Sequence, residues 1–543
     1  MIVEHSEVHS AMITLRQQAH FWRTQHARAV AREAVWEKRA LEAEKNVLHQ
    51  TAQLAEKYQQ IEALKARIVW LQQQLFGRKT EKIKSTARDS RSSDQKYSES
   101  PDKRRKRGKQ PGAKGNGRKL HKELPTEDVD HDLPQDEKSC PTCAKPYIAF
   151  PGTEDSDEIH WEVKLTRRVH KRRRYLSTCD CKTTPRIITA QPAPKLIPKG
   201  MFSTGFWAQI ILEKFLFQIP MYRIRKALAM EGLSISQGTI TGGLKRIGEV
   251  LQPLYARILE RSRAAKHWHI DETGWKVFVE IAGKIGYKWW LWVIVTRDTC
   301  VYILDPSRSS RVPNGHFGED AEGFASVDRF AAYKKLCKNI RLSYCWAHVR
   351  RDFIRVWAGY KTLRPWSRAW IKRIKNSYRL NKERLQVRSN LEEFRKKDLL
   401  LREAIASMEK QREQQFANKT LHPVQRKVLK SMREHWEGLT IFVDHPDIPM
   451  DNNEAERRLR TPVVGRKNYY GNGSVWSGML TAVLFTITQT LLKNHINPKK
   501  FLIAYFDACA ENGGKPPDNL DVFLPWNMSD EQKANFSFSE HPP

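Results

Sequence analysis

Between Ser6 and Lys82 the chain contains no proline, and its first glycine is Gly77. A stretch of that length, rich in alanine, leucine, glutamine and alternating charges, has one economical local solution, a long helix. Ile61, Leu64, Ile68, Leu71 and Leu75 recur at spacings of three and four, the seam of a coiled coil. The register loosens around and upstream of Leu54, where Gln50 and Lys57 fall on seam positions. Self-association and packing against the chain's own domain both account for the seam, and the pattern favours association.

At 543 residues the chain exceeds what one compact core holds, so several domains are expected. Seventeen tryptophans and 40% hydrophobic residues suffice to build those cores. A net charge of +34 calls for a polyanionic partner, either nucleic acid or an acidic membrane surface. The membrane is disfavoured. "MIVEHSEVHS" lacks the order of a signal peptide, and the run from Met479 to Leu492 is shorter than the roughly 20 residues of a span. Eight cysteines in so long a chain do not form a secreted disulfide framework. The expectation is a soluble, intracellular protein bound to nucleic acid.

Residues 83–120 turn polar, then basic, then glycine-rich, as a flexible linker does, and "KRRKRGK" there suits phosphates without reading sequence. Beyond it, Cys140 and Cys143 in "CPTC" and Cys179 and Cys181 in "TCDC" suggest a structural zinc site. The tight Cys-x-Cys spacing is awkward, and His170 is a substitute ligand. "TRRVHKRRRYL" alternates like a strand with a basic face. Met221 to Gly248 reads as two helices joined at Gly232, compatible with a helix-turn-helix or with a plain helical hairpin.

From Lys266 the texture is that of strands, three antiparallel ones first, and "DRFAAYKKL" then reads as a helix leading to the next strand. Asp271 ends "HWHID" and Asp328 ends "GFASVD". Single acids at strand ends are ordinarily turn residues. Together, in a strongly basic chain, they suit another task, because metal-assisted phosphodiester chemistry needs hard oxygen ligands around two ions about 3.5–4 Å apart. A third acid is sought in "DNNEAERRLR", residues 451–460. There Glu454 can pair with Arg458 and Glu456 with Arg460, so spacing alone does not choose between them.

These residues resemble the insertion-sequence-66 type of bacterial DDE transposase, from the coiled coil to near the C-terminus. "LQQQLFGRKTEK" resembles the end of that family's leucine zipper, "RGKQPGAKGNGR" its basic linker and "CPTC" its zinc segment. "PAPKLIPKG" and "IPMYRIRKALAMEG" are similar to the approach to its catalytic domain. "HIDET", "SVDRFAAY", "CWAHVRRDF", "DNNEAERRLR" and "GRKNYYGNGS" follow in the family's order. "NYYGNGS" and the Cys-x-Cys pair depart from the family's usual forms.

The resemblance implies a multidomain α+β protein. Its parts are a coiled-coil helix over 1–82, the linker, a zinc-binding module over 121–200 and a helix-turn-helix-like region over 201–262. A ribonuclease-H-like α/β catalytic domain covers 263–365 and 441–495, interrupted by a helical insertion at 366–440, and a short helical segment at 496–543 ends the chain. Asp271, Asp328 and, through the Asn-Asn-x-x-Glu-Arg pattern, Glu456 would hold two Mg²⁺ (or Mn²⁺) ions. Arg350, Arg351, Asn452, Asn453, Arg457, Arg460, Arg466 and Lys467 would line a DNA path. Cys345 and His348 resemble a C-x2-H element, read as a packed cysteine and a hydrogen-bonded histidine. The implied activity is hydrolysis at the element's inverted-repeat ends and strand transfer to target DNA, by a dimer or larger oligomer in the cytoplasm at the nucleoid, with helper proteins allowed. The rival reading is a catalytically inactive DNA-binding or regulatory derivative.

Overall fold

The stretch without helix breakers is a single helix, α1 (Ile2–Phe76). The structure, a computed structural model, describes residues 2–76, 126–128, 130–138, 141–148, 158, 159, 164–178, 185, 187–281 and 285–538. The linker at 83–120 lies outside them. In the zinc-segment region two three-residue strands, β1 (Arg174–Leu176) and β2 (Ile187–Thr189), pair antiparallel. The strand expected of "TRRVHKRRRYL" is thus confined to its last three residues. Then come α2 (Thr204–Ile211), α3 (Met221–Met230) and α4 (Gln237–Arg263), the last capped by Ser236, whose hydroxyl accepts the N–H of Thr239. Gly232, at φ +84°, makes the turn between α3 and α4 that the sequence places there.

Next are β3 (His267–Lys276), β4 (Lys288–Val295), β5 (Cys300–Asp305), α5 (Arg311–Phe317), β6 (Gly323–Val327) and β7 (Ile340–Tyr344). The remainder is helical: α6 (Trp346–Gly359), α7 (Arg364–Gln386), α8 (Leu391–Ala417), α9 (Pro423–Glu434), α10 (Trp436–Asp444), α11 (Asn453–Tyr469), α12 (Val475–Lys493), α13 (Pro498–Glu511) and α14 (Asp530–Asn535). The chain divides into two compact units, Met1–Ser85 with His348–Glu434, and Thr86–Ala347 with His435–Pro543.

In the first unit, α7 and α8 pack as a hairpin around buried polar groups. Arg384 is fully buried, 2.5 Å from Asp398 and 2.7 Å from Asn381. The indoles of Trp366 and Trp370 both donate to Gln415 Oε1. Near its C-terminal end α1 meets this unit through Ala66, packed so close to Gly359 that a Cβ there would lie 2.8 Å away, and through Glu62, 3.2 Å from His422 Nε2. Ile61, Leu64, Ile68 and Leu71 lie roughly opposite that face and are exposed.

In the second unit the sheet order is β5-β4-β3-β6-β7. The strands β3, β4 and β5 run antiparallel, and β3, β6 and β7 run parallel. Trp268, Ile270, Leu291, Val293 and Val295 are fully buried, which is why this segment is so apolar. The helix α12 is long and apolar enough by composition to cross a membrane, yet 72% of its most apolar window is buried inside this unit. It packs on β5 and α4, where each buried leucine or phenylalanine contributes roughly 1.5–3 kcal/mol. At the close approach of α10 to β7, a Cβ on Gly438 would meet Leu342 O at 2.4 Å, so only glycine fits.

One element differs from expectation. "DRFAAYKKL" forms a five-residue 3-10 turn, Ala331–Lys335, and not an α-helix. The cause is local: Asp328 Oδ1 accepts the N–H of Phe330, and buried Tyr333 is tied by its hydroxyl to β3, which leaves no room to propagate a helix before Cys337.

Candidate active site

Strand alternation decides which side chains share a face. His267, His269 and Asp271 point to one side of β3, and Glu272 to the other. In the parallel pairing, His269 lies opposite Ser326, and two residues further along each strand stand Asp271 and Asp328. Asp271 ends up abreast of Asp328; Asp328 stands just past the end of β6, whereas Asp271 lies midway along β3, which runs on to Lys276 and so does not end at the acid as the sequence suggests.

Helix α11 is fastened along β3. The amide of Asn452, 1% exposed, donates through Nδ2 to Ile270 O at 2.7 Å, and its Oδ1 lies 3.0 Å from His269 Nδ1. Its backbone N–H meets Cys345 Sγ at 3.2 Å. At the far end Arg466 Nη1 donates to Thr273 Oγ1 at 3.0 Å and to Gly274 O. Pro462 lies inside the helix and lacks an N–H. The carbonyl it would have engaged, Arg458 O, accepts the Tyr302 hydroxyl at 2.8 Å instead. With both ends tied down, Glu456 sits one turn after Asn452, whose carbonyl accepts its N–H.

The Asp271 carboxyl is pushed up to about 8 by burial first and then by Glu272, with Asp328 and Glu456 adding to the rise against one N–H bond from Glu272. Glu454 behaves differently. Burial would raise it, but Lys493 at 3.0 Å, Arg458 at 3.3 Å and Arg457 at 3.0 Å together hold it below the ordinary carboxylate value. The two glutamates thus differ: Glu454 is an ion-pair hub, and Glu456 adds to the rise at Asp271. Asp305, at the end of β5, accepts the Ser307 N–H and pairs with Arg311, as a turn residue does.

The basic and amide residues assigned to a DNA path are placed variously. Arg457, Arg460, Lys467 and Asn453 are exposed on α11, although Arg457 is paired with Glu454. Arg466 is half-buried and spent on β3, and Asn452 is spent inside the fold. For Asn452 the expected DNA contact gives way to a positioning role, because both groups of its amide are already engaged. Arg350 and Arg351 are half-buried on α6, with Arg351 Nη1 3.2 Å from His348 Nε2. Cys345 is buried. Of the zinc candidates, Cys140, Cys179 and Cys181 lie outside the described residues, and Cys143 and His170 are exposed.

Sequence reasoning passed over one group. On the opposite face of β3, Glu272 Oε1 accepts Arg308 Nε at 2.8 Å and Nη2 at 2.6 Å, and Oε2 accepts the Tyr333 hydroxyl. An acid directly after Asp271 was the available signal, and its partners lie 36 and 61 residues away.

Residues 199–479 match the model of the family described as "Transposase IS66 family". Among curated relatives, the uncharacterized protein y4jD of Sinorhizobium fredii (strain NBRC 101917 / NGR234) is 27% identical, over 78% of this chain and 84% of its own. The uncharacterized proteins y4qI and y4hP of the same organism are each 24% identical, over 63% and 72% of this chain and 66% and 73% of theirs.

Proposed function

The chain belongs to the IS66 transposase family, and from that premise we propose that it hydrolyses phosphodiesters at the inverted-repeat ends of its element and joins the 3′ ends to target DNA. Support comes above all from the crowding of Asp271, buried and raised to about 8 in the field of Glu272, Asp328 and Glu456. Crowded carboxylates in a chain of net charge +34 have a ready rationale as cation ligands. The sheet order, three antiparallel strands continued by two parallel ones, is what a ribonuclease-H-like reading requires.

The donor set is all hard oxygen, which fits Mg²⁺ or Mn²⁺. Asp271, Asp328 and Glu456 would hold two such ions, which when bound activate the attacking hydroxyl and stabilise the leaving oxygen. The protein's own contribution is placement. Asn452 and Arg466 lock α11 to β3 so that Glu456 is presented to the two aspartates. Water is the first nucleophile and the freed DNA 3′-hydroxyl the second. Arg457, Arg460 and Lys467 line the DNA path, as do Arg350, Arg351 and Asn453. A zinc module built on Cys140, Cys143, Cys179 and Cys181, with the linker and the α3–α4 hairpin, recognises the repeats. The exposed seam of α1 pairs protomers, and the working compartment is the nucleoid.

The test is a nicking and strand-transfer assay with paired element ends. Mg²⁺ supports both steps, EDTA abolishes them, and Glu456→Gln loses at least about 10³-fold, whereas Glu454→Gln retains most activity. Equal losses for the two glutamates would remove the assignment. DNA binding by the wild type without Mg²⁺-dependent cutting would favour the inactive regulatory derivative.

A further inference from the structure

Arg308 lies in the turn between β5 and α5, yet it is held like a working part. Its Nε and Nη2 both donate to Glu272 Oε1, and its guanidinium carbon stands 3.8 Å from the centre of the Phe330 ring and 4.6 Å from that of Trp290. The turn is itself braced: Ser307 N–H donates to Asp305 Oδ1 at 2.7 Å, and the Trp292 indole donates to Ser307 O at 3.3 Å. Glu272 is spent in this role, since its other oxygen accepts Tyr333. It therefore serves as a clamp and not as a cation ligand.

Two features separate Arg308 from an ordinary ion pair. First, it is anchored to both carriers of the two aspartates. Glu272 follows Asp271 directly, and the Phe330 against which Arg308 packs gives its N–H to Asp328. Second, the anchoring leaves donors over. Arg308 keeps 39% of its side chain exposed, and its Nη1 has no hydrogen-bond partner among the described residues. A guanidinium fixed by one carboxylate and two rings, with one edge turned to solvent, is pre-organised for a phosphate oxygen. We infer that Arg308, aimed by Glu272, Phe330 and Trp290, binds a backbone phosphate of the DNA on the face of β3 opposite the Asp271 side chain. Arg308 is a substrate-binding residue and Glu272 its positioning residue. The inference rests on the transposase reading and adds to it the residue that sets the DNA's register on the acids.

The experiment uses the full chain and a duplex carrying the inverted repeat that flanks its gene, with Ca²⁺ in place of Mg²⁺ for binding. Removing one phosphate contact lowers the slope of log K against log salt by about 1. Arg308→Gln is expected to show that drop, with cleavage in Mg²⁺ reduced about 10²-fold. Arg308→Lys keeps the charge and the slope, but cleaves poorly because the fork geometry is lost. Glu272→Gln likewise keeps the slope and loses cleavage. A merely structural ion pair would lower the melting temperature of Arg308→Gln and leave the slope unchanged, and that result overturns the inference.

Should Arg308→Gln fail to fold, phenylglyoxal modification of the wild type, read by peptide mass, replaces it. Bound duplex is expected to protect Arg308, and equal modification with and without DNA overturns the inference. Failure of the wild type to bind or cut the duplex at all would strike the transposase reading itself. A wild type that cuts, beside an Arg308→Gln that cuts and binds as well, strikes only this inference.

Discussion

The β5 edge and the place where Asp271, midway along β3, meets Asp328, just past β6, belong to one sheet and are built on opposite rules. At the edge, the outward N–H groups of Cys300 and Tyr302 would be orphaned, and α12 meets them with threonine hydroxyls. Thr490 Oγ1 accepts from Cys300 at 3.0 Å and donates to its carbonyl at 3.3 Å, and Thr486 Oγ1 accepts from Tyr302 at 2.8 Å. Around Asp271, half-buried carboxyls are gathered with only a few N–H groups to relieve them. A fold selected for stability alone would treat both places as it treats the edge. The difference sets the acids apart as the candidate site.

The largest expected effect comes from breaking up the acids. Asp271→Asn keeps the shape and removes the carboxyl that burial and its acidic neighbours push up to about 8. Strand transfer is expected to fall by at least about 10³-fold. In the absence of divalent cations, stability at neutral pH should rise by roughly 1–3 kcal/mol, since the fold no longer holds a carboxyl that ionises more readily in the unfolded chain. Activity assays beside denaturant titrations check both halves. Loss of activity together with loss of stability would show the acids to be as structural as the edge.

Breaking the edge should do the reverse. Thr486→Val and Thr490→Val together are nearly isosteric and leave buried N–H groups of β5 without acceptors. Each unsatisfied group costs about 1–3 kcal/mol, so the double variant is expected to lose roughly 2–5 kcal/mol. Activity per folded molecule should be unchanged below its melting transition. A double variant as stable as the wild type would mean that the hydroxyls are incidental.

The sequence exposed the acids more readily than the edge, for a physical reason. Asp271 and Asp328 close apolar runs, a local feature visible within a few residues, although only Asp328 follows a strand end and β3 runs on past Asp271. Glu456 could not be separated from Glu454 by spacing, because what distinguishes them is Lys493, 39 residues on, together with the distant aspartates. Asn452 carried the signal of a polar residue in a basic motif, whereas its partners on β3 turn it inward. The Glu272 clamp was invisible for the same reason, since Arg308 and Tyr333 reach it only through the fold. The threonines of α12 look, in sequence, like ordinary members of an apolar helix. Local pattern thus gave the strands and the long helix and drew attention to Asp271 and Asp328, while every pairing that decides between neighbours needed the tertiary structure.

The smallest effect tests whether charge is excluded from the interior away from the acids. His316, at the end of α5, is buried with Nε2 3.1 Å from Ser262 Oγ. Burial first, then Arg263, pushes its imidazole down to about 3. The neutral ring is therefore the native form, while the unfolded ring takes a proton near pH 6.5. A group depressed on folding contributes stability that is fully present above the unfolded value and is lost as pH falls toward the folded one. Between pH 6.5 and 5 the expected loss from this residue is about 2 kcal/mol. Unfolding free energies of the wild type and His316→Phe, measured across that interval, should converge as pH falls, because phenylalanine takes up no proton in either state. Parallel curves would mean that His316 is charged in the native protein, and that the interior beyond the acids tolerates the ionisation its packing is built to refuse.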